Sequence, residues 1–395
     1  MQFSDLHLPA PILSAIREQG YETPTLIQEK AIPLILSGKD IIGSSQTGSG
    51  KTAAFGLPLL SKLTPGRGIY ALILTPTREL CVQVSDALKG FAKHLSTKIT
   101  PIYGGVGIGS QINALRTAEV VVATPGRLLD MIQRGYKLNT VQYLVLDEAD
   151  RMLDMGFIDD VEKIIKCIPK QRQTLLFGAT LSPKLRSLIN RHMNSPIPVQ
   201  AETHVDTSLL TERAYAVLPQ EKFSLLVHFL KHETPGIGIV FCATRRNCDK
   251  VAKNLRAQKI SAIPIHGGLS QSKRINAITT LHKQGIGILV ATDVASRGLH
   301  INNISHVYNY ELPKTSDDYV HRIGRTARAG AKGDAVTFVI HQDIRDFKLI
   351  MRDLGREIAS SPLPTFEKVA LIAGTAHEPS QQDHRKRRRF WKRSR

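Results

Sequence analysis

The fold of this chain is decided by one stretch, Ser45-Gln46-Thr47-Gly48-Ser49-Gly50-Lys51-Thr52, which follows the apolar run Asp40–Gly43 and leads into the helix-forming run Thr52–Phe55. The pattern predicts a strand, a glycine-rich turn and a helix start. Glycines let backbone N–H groups turn toward an anion, and the new helix points its positive end at the same place. A lysine and a threonine hydroxyl at the end of such a turn suit the outer phosphates of a nucleotide and a magnesium ion.

A second motif bears on this interpretation, because the strict phosphate-loop pattern has glycine where this chain has Ser45. The alternative is a serine- and glycine-rich turn with a chance Gly-Lys-Thr. However, the apolar run Leu144–Leu146 is followed by Asp147-Glu148-Ala149-Asp150, which places acids at the carboxyl end of a predicted strand. There Asp147 would hold magnesium, Glu148 would orient the attacking water, and Asp150 would tie the motif to its neighbours.

Composition favours a nucleic-acid partner. The chain has 395 residues, 42% of them hydrophobic, and 53 Lys and Arg against 34 Asp and Glu give a formal net charge of +19. Such a charge suits phosphate polymers. Eight of the basic residues fall within residues 385–395, which contain no acid, and the remaining excess is spread through the body of the chain. We therefore expect an RNA or DNA ligand to engage both the body and the tail.

The sequence shows no membrane span or signal peptide. The long uncharged run from Ile99 to Leu115 is interrupted by glycines and polar residues, and charges and prolines break up the N-terminal segment. The cysteines have no Cys-x-x-Cys spacing; they are Cys81, Cys167, Cys242 and Cys248. We interpret them as buried, reduced thiols, which predicts a cytoplasmic protein without a membrane partner.

Two sets of apolar runs, each alternating with amphipathic segments, predict two α/β domains built on parallel sheets. The predicted boundaries are residues 1–200 for the first domain, 201–210 for a linker, 211–358 for the second domain and 359–395 for a basic flexible tail. Only the first domain contains the Gly-Lys-Thr stretch, so a nucleotide site in a cleft served by both domains is expected. The fold class is thus α/β, with two such domains in tandem and a disordered basic C-terminal tail.

Two further segments could act on a nucleotide. Tyr21 could pack on a purine and Gln28 could bond to its edge, although a proline-containing turn with a surface glutamine is the alternative. In the basic cluster His321–Arg328, Arg325 and Arg328 are three residues apart and share one helix face. They could stabilise charge on the transferred phosphoryl group as arginine fingers, or they could belong to a solvated basic face.

Taken together, these motifs resemble those of DEAD-box RNA helicases, over about residues 3–355, with short flanks similar to the bacterial RhlE-type branch. The resemblance implies two RecA-like domains that close on ATP, Mg²⁺ and RNA. It implies nucleotide contacts from Tyr21, Thr23, Gln28, Ser45, Gln46, Thr47, Gly48, Ser49, Gly50, Lys51, Thr52 and Asp293, with Thr52 and Asp147 at the metal and Lys51, Glu148, Arg325 and Arg328 in catalysis. It implies RNA contacts from Pro76, Thr77, Arg78, Gly105, Thr124, Pro125, Gly126, Arg127, Thr244, Arg245, His266, Gly267 and Thr292.

The sequence departs from the family pattern at four positions: Gly178 replaces a serine, Gly268 an aspartate, His300 an acid and Ala327 a glycine. The implied function is an ATP-dependent RNA helicase that binds the RNA backbone independently of sequence and opens short duplexes or remodels RNA–protein complexes. Ribosomal or RNA-decay proteins are candidate partners. An RNA-binding clamp with weak ATPase is the alternative, since Gly178 and His300 could weaken coupling. A generic phosphate-loop kinase or transport ATPase would leave the second domain's arginines unexplained.

Overall fold

The computed structural model describes residues 1–44, 49–178, 181–200, 209–233, 236–284, 287–296, 304–327, 332–358 and 360–371. These residues fall into two compact units, the first holding those up to residue 200 and the second those from residue 209. Each unit is built on one parallel sheet. The prediction of two parallel-sheet domains is therefore confirmed.

The first unit contains a seven-stranded parallel sheet in the order β3-β4-β2-β5-β6-β1-β7. Its strands are β1 Ile41–Ser44, β2 Ala71–Leu74, β3 Ile99–Ile102, β4 Val120–Ala123, β5 Tyr143–Leu146, β6 Gln173–Gly178 and β7 Ile197–Gln200. Its helices are α1 Ala10–Glu18, α2 Leu26–Leu36, α3 Lys51–Lys62, α4 Arg78–Phe91, α5 Ile108–Leu115, α6 Pro125–Gln133, α7 Ala149–Asp154, α8 Ile158–Lys166 and α9 Pro183–His192. A short 3₁₀ helix, Phe3–Leu6, precedes α1.

Helices cover both faces of this sheet, which explains its uninterrupted apolar strands. Every residue of β2, β4 and β5 is buried, and the side chains divide between two apolar clusters, one on each face. Side chains alternate between the two faces of a strand, so a strand covered on both sides has no polar positions. The sheet thus holds the ends of its strands rigidly in place.

The second unit contains a six-stranded parallel sheet in the order β10-β11-β9-β12-β13-β8. Its strands are β8 Leu210–Ala216, β9 Ile237–Phe241, β10 Ala262–Ile265, β11 Gly287–Ala291, β12 Ile304–Asn309 and β13 Gly333–Val339. Its helices are α10 Lys222–His232, α11 Arg245–Ala257, α12 Gln271–Gln284, α13 Asp293–Ser296, α14 Ser316–Ile323 and α15 Ile344–Asp353, with a 3₁₀ turn, His341–Asp343, before α15.

The chain after α15 differs from the flexible tail predicted from residue 359. Ser361 donates its backbone N–H to the carbonyl of Ala214 at 2.7 Å, beside the edge strand β8. Further on, the N–H of Val369 donates to the Ser224 hydroxyl at 2.9 Å, and Lys368 pairs with Glu221 at 3.0 Å. Residues 360–371, which we call the strap, therefore lie against the second unit. The rest of the predicted tail, and residues 201–208 of the predicted linker, lie outside the described residues.

The cysteines are unpaired, and three of them, Cys81, Cys242 and Cys248, are buried as expected. Cys167 is exposed instead, because it directly follows α8 and lies on the outer surface. Burial raises the pKa of the Cys81 thiol to about 12, which keeps it protonated. Among the described residues, none of the helices combines the length and the apolar character needed to cross a membrane.

Candidate nucleotide and RNA site

The phosphate-loop stretch and the acidic motif lie at the same edge of the first sheet. The loop follows β1 and the acids follow β5, and only β6 separates these two parallel strands. Ser45, Gln46, Thr47 and Gly48 lie outside the described residues. Because carboxyl ends of parallel strands share one edge, the sheet order brings the loop and the acids together as the sequence predicted.

The described end of the loop is bound by the segment that contains Gln28. The Gln28 amide donates to the carbonyl of Gly50 at 3.1 Å, and the Thr25 hydroxyl donates to the carbonyl of Ser49 at 2.8 Å. Gly50 has φ +92°, and a Cβ atom there would overlap the Gln28 amide. Glycine is therefore required twice over, by its backbone conformation and by the close approach of Gln28.

The residues proposed to contact the base occupy different surroundings. Gln28 is buried, and its amide oxygen accepts the N–H of Thr25 at 2.9 Å, so the structure commits both ends of this side chain to the protein. Tyr21 is 36% exposed and its ring meets Phe3 and Phe91 edge-on. Thr23 is exposed. An aromatic ring supported from its sides and open to solvent is well suited to stacking on a base.

Lys51 begins α3 and is buried beside the acidic motif, while Thr52 is half-buried. Asp147 is only 3% exposed. Burial raises the pKa of Asp147 to about 7, the neighbouring carboxylates of Glu148 and Asp150 add to this, and the Lys51 ammonium opposes it. The Asp147 carboxylate is thus a buried anion that a cation would stabilise.

Glu148 has an unusual backbone conformation and a fixed side chain. Its φ is +51°, which is uncommon for a residue other than glycine and marks a strained turn between β5 and α7. Its carboxylate pairs with buried Arg151 at 3.1 Å. The Asp147 carboxylate accepts the N–H of Glu148 at 3.0 Å, and the Asp150 carboxylate accepts that of Arg151 at 2.9 Å. These bonds orient the acidic motif.

The predicted RNA contacts of the first unit follow the neighbouring strands β3, β4 and β2. Thr77 caps α4 by accepting the N–H of Leu80 at 3.3 Å, and Arg78 extends over a pair of glycines. A Cβ atom on Gly105 would overlap the Arg78 guanidinium, and one on Gly104 would lie 3.4 Å from it. The remaining predicted contacts lie at the start of α6 or beside α4. Pro76, Thr124 and Pro125 are buried, and Gly126 is exposed. Arg127 donates to the carbonyl of Val106 at 3.3 Å.

The second unit repeats this arrangement at the ends of β9, β10 and β11. Thr244 caps α11 by accepting the N–H of Asn247 at 3.2 Å, and Arg245 extends along Gly267, whose added Cβ would lie 3.3 Å from the guanidinium. The buried His266 accepts the N–H of Gly268 at Nδ1, at 3.2 Å, so its proton resides on Nε2, which contacts Asp249 at 3.0 Å. Each unit thus presents a capped helix start and an arginine lying on paired glycines.

Asp293, which the sequence predicts to contact the nucleotide, is bound by Arg322. The Arg322 Nε and Nη2 donate to the two carboxylate oxygens of Asp293 at 2.6 and 2.8 Å. Arg322 is 2% exposed and its guanidinium lies 4.9 Å from the centre of the Phe241 ring. Thr292, which precedes Asp293, and Arg325, which follows Arg322 by three residues, are both buried. Arg328 and His300 lie outside the described residues.

Sequence reasoning missed the residues that hold the predicted ones in place. They are Thr25, Arg151, Glu311 and Arg322. Thr25 and Arg151 lie three residues from predicted site residues, so a capping-box pattern and helical i, i+3 spacing could have identified them. Arg322 lies within the predicted basic cluster, but its partner is 29 residues away in sequence, which no local pattern reveals.

Known proteins give the same assignment. The family model for the DEAD/DEAH box helicase matches residues 25–188, and that for the helicase conserved C-terminal domain matches residues 221–330. The ATP-dependent RNA helicase CshA of Listeria monocytogenes is 43% identical over 371 residues, 93% of this chain and 71% of that protein. The DEAD-box ATP-dependent RNA helicase CshA of Bacillus subtilis is 42% identical over 370 residues, 93% of this chain and 75% of that protein.

Among solved structures, S. cerevisiae Dbp5 bound to RNA and ADP BeF3 matches with a TM-score of 0.82 and 30% identity, over 92% of this chain and 96% of that one. The predicted similarity to the RhlE-type branch is corrected by these comparisons, since the bacterial relatives above are CshA proteins. Its motifs, the parallel sheet in each of its two units and its relatives together show that the chain belongs to the DEAD-box ATP-dependent RNA helicases.

Proposed function

We propose that this protein binds ATP on the first unit and hydrolyses it in response to RNA that lies along the strand ends of both units. The observation that carries the proposal is that two different kinds of group lie at the carboxyl ends of the strands of the first sheet. The ends of β1 and β5 present Lys51 and the acidic motif, whereas the ends of β2, β3 and β4 present threonine, glycine and arginine groups. The same edge of the sheet therefore has one half, at β1 and β5, suited to cleaving a phosphate and another, at β2, β3 and β4, suited to binding RNA.

At the nucleotide half, the Lys51 ammonium would bind the outer phosphates and the Tyr21 ring would stack on the base. The Glu148 carboxylate, held by Arg151 at 3.1 Å, would orient the attacking water and accept its proton. Gln28 and Thr25 would act mainly by fixing the loop, since both bond to its carbonyl groups. A base that displaced the Gln28 amide would thereby also move the phosphate loop.

The residues present fit a magnesium ion. Thr52 supplies a hydroxyl oxygen and Asp147 a carboxylate whose pKa is raised by burial. The described residues contain no group of three or more metal-binding side chains, which matches an ion that completes its shell with phosphate oxygens and water. Bound there, magnesium would neutralise charge on the phosphates.

At the RNA half, the contacts would be to phosphates and sugars. Capped helix starts, exposed Gly126 and the arginines on glycines offer N–H donors and positive charge but no groups arranged to read base edges. Binding should therefore be independent of sequence and steeply dependent on salt. Arg325 would act as an arginine finger that stabilises charge on the transferred phosphoryl group. The cytoplasmic setting and ribosomal or RNA-decay partners stay predictions.

Phosphate release measured with and without single-stranded RNA tests the proposal. RNA should stimulate ATP turnover by the wild type. Glu148→Gln should lower turnover about a hundredfold or more while retaining ATP binding. Lys51→Ala should lower turnover by weakening the phosphate contact. Lys62→Ala, at the far end of the same helix, is the matched control and should retain the wild-type rate. The proposal fails if RNA gives no stimulation, or if Lys51→Ala and Glu148→Gln both hydrolyse ATP at the wild-type rate.

A further inference from the structure

Glu311 joins two separate parts of the second unit. It lies two residues after β12, and its carboxylate accepts the N–H of Ala243 at 2.6 Å and the side-chain amide of Asn247 at 2.8 Å. Its own N–H donates to the carbonyl of Phe241 at 3.1 Å, and its carbonyl accepts Nη1 of Arg322 at 2.6 Å. One residue thus uses its side chain, its N–H and its carbonyl on four partners, which lie in two segments that are distant in sequence.

The first of these parts is the turn from Ala243 to Asn247, which connects β9 to α11. It contains Thr244, the cap of α11, and Arg245, both of which belong to the proposed RNA surface. The turn is bound at both ends by the same carboxylate, so its position follows that of Glu311. The first N–H groups of α11 have no partner within the helix, and the turn decides where they point.

The second part is the buried guanidinium of Arg322. It bonds both oxygens of Asp293, the side chain of Asn309 at 3.1 Å and the carbonyl of Glu311. Arg325, the proposed arginine finger, follows in the same turn of chain, and its N–H donates to the carbonyl of Arg322 at 3.0 Å. A shift of Glu311 would therefore reach the residue proposed to act on the nucleotide.

We propose that Glu311 is a positioning residue that couples RNA contact at the Ala243–Asn247 turn to the Arg322–Arg325 segment. This inference rests on the proposed function, because it explains how RNA contact in the second unit would stimulate ATP turnover. Charge-assisted hydrogen bonds are short and strong, and both carboxylate bonds have such lengths, so the link is stiff enough to transmit a displacement. Glu311 itself needs to touch neither RNA nor ATP.

The test is Glu311→Gln. Glutamine has one acceptor and one donor end, so only one of the two donors, the N–H of Ala243 or the amide N–H of Asn247, keeps a carbonyl acceptor. The other bond is lost or, if the Asn247 amide turns over, becomes a neutral one. Loss of one charge-assisted bond should raise the RNA concentration for half-maximal ATPase stimulation about tenfold or more. The KM for ATP at saturating RNA should change less than about twofold, since the proposed phosphate and base contacts, Lys51 and Tyr21, are on the first unit.

A second, compensating substitution distinguishes a positioning role of Glu311 from a general loss of structure in the variant. In Glu311→Gln combined with Asn247→Asp, the glutamine amide can donate to the new carboxylate while its oxygen accepts the Ala243 N–H. We expect this double variant to recover most of the RNA response. Glu233→Gln is the matched control, because Glu233 also pairs with an arginine in the second unit, Arg213 at 2.8 Å, but contacts neither segment.

The outcomes are distinguishable. A wild type stimulated by RNA together with an unaltered RNA response in Glu311→Gln would overturn the inference and leave the helicase function intact. A wild type that RNA does not stimulate would overturn both. If Glu311→Gln does not fold, Asn247→Ala removes only the 2.8 Å bond and should still weaken the RNA response, and its failure to do so would count against the coupling.

Discussion

A Cβ atom on Gly178 would lie 3.4 Å from the Asp150 carboxyl group, which is ordinary van der Waals contact. Gly178 ends β6, the strand between the phosphate-loop strand and the acidic strand, and the DEAD-box pattern has serine at this position. The space for that serine is thus intact, and its hydroxyl would lie within reach of Asp150. What this chain lacks is the hydroxyl, not the room for it.

We predict that Gly178→Ser raises the amount of duplex displaced per ATP hydrolysed, because a hydroxyl bonded to Asp150 would tie β6 to the acidic motif. Strand displacement and phosphate release are measured in the same reaction. Gly178→Ala is the matched control, since it adds the Cβ atom without the hydroxyl and should behave like the wild type. Equal displacement per ATP in the serine and alanine variants would exclude this role for the hydroxyl.

Arg325→Ala should lower RNA-stimulated ATP turnover by roughly a thousandfold while leaving ATP and RNA binding largely intact, as expected for an arginine finger. Arg325 is buried, so the thermal midpoint must be measured alongside the rate. An exposed arginine of the same unit, such as Arg256 in the last turn of α11, provides the control. A folded Arg325→Ala variant with the wild-type rate would assign Arg325 to a structural role.

Ala327→Gly should stabilise the second unit. Ala327 has φ +52°, a left-handed conformation that costs an alanine about 1–2 kcal/mol and costs a glycine little. The greater entropy of glycine in the unfolded chain offsets part of this gain, so we expect a net increase of about 0.5–1 kcal/mol in the free energy of unfolding. Ala252→Gly, in the middle of α11, should change stability in the opposite direction by about 1 kcal/mol. Denaturant unfolding compares the two, and a loss in both would contradict the assigned strain.

Removing residues 372–395 should weaken RNA binding without altering the core ATPase at saturating RNA. The deletion takes away eight Lys and Arg with Phe390 and Trp391, yet it leaves the strap on the second unit. Each lost cation that contacts a phosphate should flatten the slope of log K against log salt by about 0.7 for single strands. Binding titrations at several salt concentrations measure the slope. Identical slopes for the two proteins would show that the tail does not bind phosphates.

The second unit should lose stability in mild acid through His306. Burial lowers the pKa of His306, Arg213 adds to this, and the carboxylates of Asp334, 3.7 Å away, and Glu233 oppose it. Because the folded protein disfavours the protonated ring, the unfolded chain binds the proton first as pH falls below about 6.5. Stability is therefore retained above that pH and declines between it and the lower folded-state pKa. His306→Gln should show a flatter stability profile between pH 5 and 8, and an unaltered slope would contradict this.

The strands were predictable wherever helices cover both sides, as at β5, where the predicted strand Leu144–Leu146 lies within Tyr143–Leu146. Two of the four edge strands, β7 and β8, were not. Ile197–Gln200 contains Pro198 and exposed residues, and an edge strand tolerates proline because one side of it needs no hydrogen bonds. Polar Thr211, Glu212 and Arg213 likewise concealed the first half of β8, the edge of the second sheet.

The position of the acidic motif was predictable because its pattern is local, with Asp147 directly after the buried strand β5. The pairings were not, because they depend on which strands become neighbours. Asp293 follows β11 and Asn309 ends β12, and both meet Arg322 only because β11 and β12 lie on either side of β9 in the folded sheet. The bonds of Glu311 to Ala243 and Asn247 arise in the same way.

On the proposed function, the arginines that lie on paired glycines, Arg78 in the first unit and Arg245 in the second, would make this protein a bivalent ligand for a polymer. A linked second site experiences a millimolar effective concentration of RNA once the first is occupied, so two weak contacts can hold a strand as firmly as one strong contact. Such binding is lost when geometry prevents both sites from engaging together. Because each site raises the effective concentration of RNA at the other, loss of either arginine would then weaken RNA binding by more than the one contact that is removed.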